Sequence, residues 1–197
     1  MIKVEILLLT AGKSSRMGQP KALLSIKGQP LISYQIDRLK ELSLPITVVL
    51  GAYADEISKA VTSKEIRLIL NKDFEKGMGS SIAFGTTNIQ NTNPEIDAIL
   101  VCAIDQPLIP LDHFENLLST ARKTDFSIIQ SLSEAGWRGI PTLFKSNHFK
   151  ALSKLTGDEG AKSIIQNNLS VVKAIKAPAD RLIDIDTYEQ YQSLNLD

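Results

Sequence analysis

The chain has 197 residues, 43% of them hydrophobic and 22% charged, the make-up of an ordinary globular protein and not of a disordered or fibrous one. Its 22 basic residues are matched by 22 acidic ones, so no broad positive field exists to hold a nucleic acid, whereas a small anion gripped by a few local cations remains compatible. The length suits one domain, residues 1–197, built around a single substantial core.

No apolar run reaches the roughly 18 residues that cross a bilayer. Lys3 followed by Val4–Leu9 is too short for the apolar region and cleavage site of a signal peptide, so a cytoplasmic protein with no membrane partner is expected. The single Cys102 lies in the apolar stretch "AILVCAID" and reads as a buried core thiol, with little to support a redox or metal role.

In chain order the first element is the apolar run Val4–Leu9, a strand, which feeds "TAGKSSRMGQPK", residues 10–21. Gly12-Lys13-Ser14 looks like the end of a P-loop, but that motif needs another glycine five positions earlier, where this chain has Leu7. The loop is nonetheless small, polar and glycine-bearing, and it carries Lys13, Arg16 and Lys21. Small residues let backbone N–H groups approach phosphate oxygens, Arg16 can fork onto two of them, and Lys21 can act as a point charge. The alternative is a solvated loop; three cations among glycines and serines behind a buried strand favour phosphate binding. No Gly-x-Gly-x-x-Gly follows the strand, which speaks against a dehydrogenase.

Next, "PLISYQIDRLKEL" places Leu31, Ile32, Ile36, Leu39 and Leu42 at helical spacing behind Pro30, and packing accounts for it. Further strands are expected at about 46–51, 66–70, 97–104, 126–131, 141–144 and 170–175. Most are continuous apolar runs such as "ITVVLG", so both faces of a mainly parallel sheet should be covered by helices, giving a three-layer α/β/α sandwich of Rossmann-like type. Helices are expected after Asp112, after Gly157-Asp158-Glu159-Gly160 and over "YEQYQSL", while "NIQNTNPEID" reads as a surface loop. No internal repeat is visible.

Ligands in such sheets collect beyond the carboxyl ends of strands, so the residues that follow each run matter. After the third strand, Glu75-Lys76-Gly77-Met78-Gly79-Ser80-Ser81-Ile82 offers a flexible backbone and two hydroxyls at a helix start. After the fourth comes Ile104-Asp105-Gln106-Pro107, where Asp105 is placed to hold a hard cation such as Mg²⁺; Asp112 fits a capping role better. Near the C-terminus, Asp184 and Asp186 point the same way if extended, although an N-cap by Asp186 or Thr187 is the favoured reading of that cluster alone. Trp137-Arg138 between glycines can flank a flat anionic acceptor, with a packed hairpin as an equal alternative. His113 and His148 stand singly on helical stretches without ligand spacing and read as surface or cap residues.

Taken together, "LLTAGKSSRMGQPKALL", "GMGSSIAFG", "DQPLI", "GIPTLF", "LTGDEGAKSII" and "DIDTYEQY" resemble the MobA-like nucleotidyltransferases over nearly the whole chain, and within them the molybdenum cofactor cytidylyltransferase branch. Thr10 stands where that pattern usually has alanine, and Tyr188 where it usually has proline. The resemblance implies a nucleotide-diphospho-sugar transferase type of fold and a triphosphate loop in which Ala11, Gly12, Arg16 and Lys21 contact the nucleotide. It further implies Ser80 and Ser81 near base or ribose, and Mg²⁺ on Asp105 and Asp186, with the membership of Asp184 open. Arg16, Lys21 and Asp105 would be the catalytic groups. CTP would be the nucleotide and molybdopterin the phosphate-bearing acceptor, which brings a transient contact with a molybdoenzyme maturation protein. GTP or a sugar phosphate as substrate, and a non-catalytic nucleotide or cofactor carrier, are the alternatives.

Overall fold

The computed structural model describes residues 2–14, 17–134, 136, 138–177 and 181–194. Strand β1 (Val4–Leu9) is buried throughout. A 3₁₀ turn at Lys21–Leu23 then leads into a small antiparallel ribbon, β2 (Ser25–Ile26) and β3 (Gln29–Pro30), turned at Lys27 and Gly28, both with positive φ. Helix α1 (Leu31–Lys40) follows with Pro30 just outside its first turn. Then come β4 (Ile46–Leu50), α2 (Ala54–Ala60), β5 (Arg67–Leu70), α3 (Met78–Thr92), β6 (Ala98–Ala103) and α4 (Leu111–Lys123). The chain closes with β7 (Ile128–Ser133), β8 (Arg138–Lys145), the short helices α5 (Phe149–Leu152) and α6 (Lys162–Gln166), β9 (Val172–Ala177) and α7 (Tyr188–Ser193).

The main sheet has seven strands in the order β5-β4-β1-β6-β8-β7-β9. All seven sit where the apolar runs put them, and all pair in parallel except β8, which runs antiparallel to both β6 and β7. The reason is connection length: the few residues between Ser133 and Arg138 suffice for a hairpin and not for a crossover.

Alternation along β1 divides the core. Ile6 and Leu8 face Leu31, Ile32 and Ile36 of α1 and Leu117 of α4. Leu7 and Leu9 face Ile82 and Ile89 of α3 and Ile164 of α6. The result is the expected three-layer arrangement.

Three expectations are corrected. Helix α3 continues to Thr92, so all of "NIQNT" is helix and not loop; fully buried Ile89 docks its last turns, and Asn88 and Thr92 satisfy backbone carbonyls within the helix. His113 and His148 are not at the surface but 3% and 5% exposed, hydrogen-bonded at 2.8 Å to Ser131 Oγ and Ser127 Oγ. Burial lowers both pKa values and keeps both rings neutral at physiological pH. Because Ser131 Oγ already donates to the Pro141 carbonyl, His113 must donate through Nε2. Cys102 is buried as expected, and burial pushes its thiol pKa far up, which makes it inert.

Candidate active site

Leaving β1, the chain builds β4 and β5 on one side and then β6 on the other, so the crevice beyond the carboxyl ends of β1 and β6 is the topological switch point of the sheet. A cavity of about 920 Å³ opens there. Ala11, Gly12, Lys21, Ser81, Asp105 and Asp186 all line it.

The loop after β1 is held at both ends. The N–H and hydroxyl of Thr10 both donate to the Val49 carbonyl at 3.0 and 2.8 Å, so the residue that stands in place of alanine ties the loop to β4. The Ala11 carbonyl accepts from Ala52 N–H at 3.2 Å, while Ser14 Oγ accepts from the Lys21 N–H at 3.2 Å and closes the loop on itself. Between these anchors Gly12 faces open space, where an added Cβ would meet nothing within 4 Å. Arg16 lies outside the described residues.

Lys21 reaches across the crevice. Its Nζ donates to Asp105 Oδ2 at 3.1 Å and to Asp186 Oδ1 at 2.7 Å, joining groups 84 and 165 positions away in sequence. Burial works against the ammonium, but the two carboxylates outweigh it and hold its pKa above the ordinary lysine value.

Each acid is fixed by its own scaffold. Asp105 follows β6 in a turn that α1 clamps: Gln35 Nε2 donates to the Gln106 carbonyl at 3.2 Å, and the Arg38 guanidinium donates to the carbonyls of Pro107 and Ile109. Helix α1 therefore does more than pack. The C-terminal segment is brought in by fully buried Ile185, whose N–H donates to the Asp105 carbonyl at 2.8 Å. Asp184 and Asp186 flank that anchor and both line the cavity, as alternation implied. Thr187, and not Asp186, caps α7 in a reciprocal box with Gln190, which also holds the Asp186 N–H at 2.7 Å.

Asp184 accepts from Gln106 Nε2 at 2.8 Å. Its pKa is pushed up to about 6, chiefly by burial and then by the charges of Asp105 and Asp186. Gln106 carries no signal in sequence except its place beside Asp105, and only the fold shows that it holds the third acid.

On the opposite wall, α3 starts beneath the cavity. Asn71 Nδ2 donates to Ser80 Oγ and Ser81 Oγ at 3.1 and 3.2 Å, and the single Ser80 hydroxyl proton lies within reach of both the Asp73 and Gly77 carbonyls. Ser80 is thus occupied beneath the wall, and Ser81 is the hydroxyl residue that lines it. The Gly157 segment is stitched to this start by Gly79 N–H to Gly157 O at 2.8 Å and Gly157 N–H to Lys76 O at 2.7 Å. Arg138, Gly139 and Lys162 line the far side; Trp137 lies outside the described residues. Among the described residues no set of three or more His, Cys, Asp or Glu side chains is arranged to hold a metal by itself.

A mainly parallel seven-stranded sheet with its crevice at this switch point is the architecture of the nucleotidyltransferase fold. It superimposes on a nucleotidyl transferase from Methanothermobacter with a TM-score of 0.79 at 21% identity, over 98% of this chain and 95% of that one. Rv0371c from Mycobacterium tuberculosis H37Rv superimposes with a TM-score of 0.86 at 22% identity, over 98% and 97% of the two chains. Residues 6–173 match the family model described as MobA-like NTP transferase domain, and the chain belongs to that family. It is 29% identical to the purine catabolism protein PucB of Bacillus subtilis, over 93% of this chain and 91% of that protein. It is also 29% identical to the nicotine blue oxidoreductase of Paenarthrobacter nicotinovorans, over 95% and 94% of the two chains.

Proposed function

We propose that the protein is a divalent-metal-dependent nucleotidyltransferase that moves CMP from CTP to a phosphate oxygen of a molybdopterin-type acceptor and releases pyrophosphate. The observation that carries the reading is the convergence of Lys21, Asp105 and Asp186 on one point beside the open Gly12 loop. An acceptor oxygen bonds to the α-phosphorus, the bond between that phosphorus and its β-bridging oxygen breaks, and the electron pair leaves on pyrophosphate. No protein nucleophile is needed.

The chain's own part is positioning and charge. The Ala11 and Gly12 backbone cradles the triphosphate, Lys21 and Arg16 stabilise charge on the departing pyrophosphate, and Ser81 lies toward the ribose or base. The donor set suits Mg²⁺, which is commonly held by one or two carboxylates together with substrate phosphates and water, and Asp105 and Asp186 would hold it. When bound, that ion neutralises phosphate oxygens as a Lewis acid. A cavity of about 920 Å³ has room for a nucleotide and part of an acceptor, with Arg138 and Lys162 available to an anionic acceptor.

The test is pyrophosphate release from CTP, GTP, ATP and UTP with molybdopterin or a sugar 1-phosphate as acceptor. Oxidation of NADH and NADPH serves as a control, since one relative is named an oxidoreductase. CTP with molybdopterin is the expected pair, and Asp105→Ala should fold normally yet lose turnover by about a thousandfold. A folded Asp105→Ala protein of unchanged turnover removes the metal assignment, and preference for GTP or a sugar phosphate moves the substrate assignment.

A further inference from the structure

Lys21 contacts both of the acids assigned to the metal. Its ammonium occupies the gap between Asp105 Oδ2 and Asp186 Oδ1, at 3.1 and 2.7 Å, which is where a cation shared by those two oxygens would sit. The contact is sheltered, with only 12% of the Lys21 side chain exposed, and its root is fixed by the Ser14 hydroxyl on the Lys21 N–H. The backbone that carries each carboxylate is fixed as well, through the Ile185 N–H on the Asp105 carbonyl and through Gln190 on the Asp186 N–H.

A magnesium ion binds oxygen at about 2.0–2.1 Å, so it cannot share two carboxylate oxygens with an ammonium lodged between them. A metal at that shared position therefore requires the lysine to swing away. Swinging away without a new anion leaves a partly buried cation unpaired, which is costly. A triphosphate arriving with its metal removes that cost, because it gives Lys21 other oxygens to bind. The lysine's flexible stem and point charge suit such an exchange better than a planar guanidinium would.

We propose that Lys21 is an internal counter-ion that reserves the metal position, so that the divalent ion enters together with the nucleotide and not before it. This rests on the assignment of Asp105 and Asp186 as metal holders. Metal and triphosphate then bind with positive coupling, and by linkage each strengthens the other. One side chain then serves as counter-ion to the two acids before binding and as phosphate ligand after it.

The experiment is Mn²⁺ binding to the full chain without nucleotide, followed by the electron paramagnetic resonance signal of free Mn²⁺, for wild type, Lys21→Met and Lys21→Arg. Lys21→Met removes the charge with little change in length, and it should bind one Mn²⁺ about tenfold or more tightly than wild type. Lys21→Arg should remain as weak as wild type. Adding Asp105→Asn to Lys21→Met should abolish the gain. Should Lys21→Met fold poorly for want of a counter-ion, Lys21→Met/Asp184→Asn relieves the acid repulsion and the same gain is read there. Failure of the folded charge-free variants to exceed wild type, while wild type with CTP shows a Mn²⁺ site sensitive to Asp105→Asn, overturns the counter-ion role alone. No Mn²⁺ site sensitive to Asp105→Asn in any protein, with or without CTP, overturns both it and the metal assignment.

Discussion

Gly77→Ala should cripple the wall of the cavity opposite the acids. Gly77 has φ +92° and ψ 178°, a conformation that residues with a side chain rarely adopt and that costs them roughly 1–3 kcal/mol. Its Cβ would also stand 2.4 Å from the Gly157 carbonyl carbon and 2.5 Å from the Gly157 oxygen. That backbone cannot retreat freely, because it is tied to α3 by Gly79 N–H to Gly157 O and to the preceding turn by Gly157 N–H to Lys76 O. Breaking both bonds adds about 0.5–1.5 kcal/mol each, for a total of roughly 2–6 kcal/mol. For a chain of 197 residues each kcal/mol lowers Tm by about 2–4 °C, so a fall on the order of 5–20 °C is expected in a thermal melt followed by circular dichroism. CTP affinity, measured by calorimetry at a temperature where the variant is folded, should fall as well, because the Gly157 segment forms part of the same cavity. A Tm within about 1 °C of wild type would refute the claim that this contact is rigid.

Gly12→Ala is the counterpart: its Cβ meets nothing within 4 Å, so Tm should stay within about 2 °C while CTP affinity drops about tenfold or more, and unchanged affinity would show that phosphate does not approach the Gly12 backbone. Thr187→Ala removes the capping box of α7 and should cost about 1 kcal/mol, read as a Tm loss of a few degrees. The pKa of Asp184 is raised from 3.8 to about 6, so between those values the folded state binds more protons than the unfolded one and this group's contribution to stability falls as pH rises. With allowance for its partial exposure the loss is roughly 1–2 kcal/mol in metal-free buffer, and Asp184→Asn should remove it from a plot of stability against pH. The lowered pKa values of His113 and His148 act oppositely, costing stability as pH falls below the ordinary histidine value of 6.5, and His113→Asn should weaken that acid-side loss.

The strands were legible because a strand buried on both faces must be apolar at nearly every position, and Val4–Leu9, Ile46–Leu50 and Ala98–Ala103 are such runs except for buried Glu5 and Thr47, whose hydroxyl donates to the Glu5 carboxylate. Direction is not written in a strand's composition. The antiparallel course of β8 was readable only from its short link to β7, which the narrower strand limits 126–131 and 141–144 concealed. His113 carried a usable signal, since it shares a helical face with Leu117 four positions on, but its partner Ser131 belongs to another strand. Much of the site was legible for a different reason: glycines, cations and acids that stand directly after buried strands have few places to go except the crevice. What sequence could not show is the support beneath them. The clamp of Gln35 and Arg38 on the turn after Asp105 and the bond from Gln106 to Asp184 join segments distant in the chain, and the hold of Asn71 on two serines depends on how the chain turns back over 9 and 10 positions.

A crystal structure of the protein with CTP and Mg²⁺ tests the central claim most directly. The expected result is a triphosphate over the Ala11 and Gly12 backbone, a metal ligated by Asp105 and Asp186, and Lys21 turned from those acids onto phosphate oxygens. A nucleotide bound away from this crevice, or a metal whose ligands include neither acid, would contradict it.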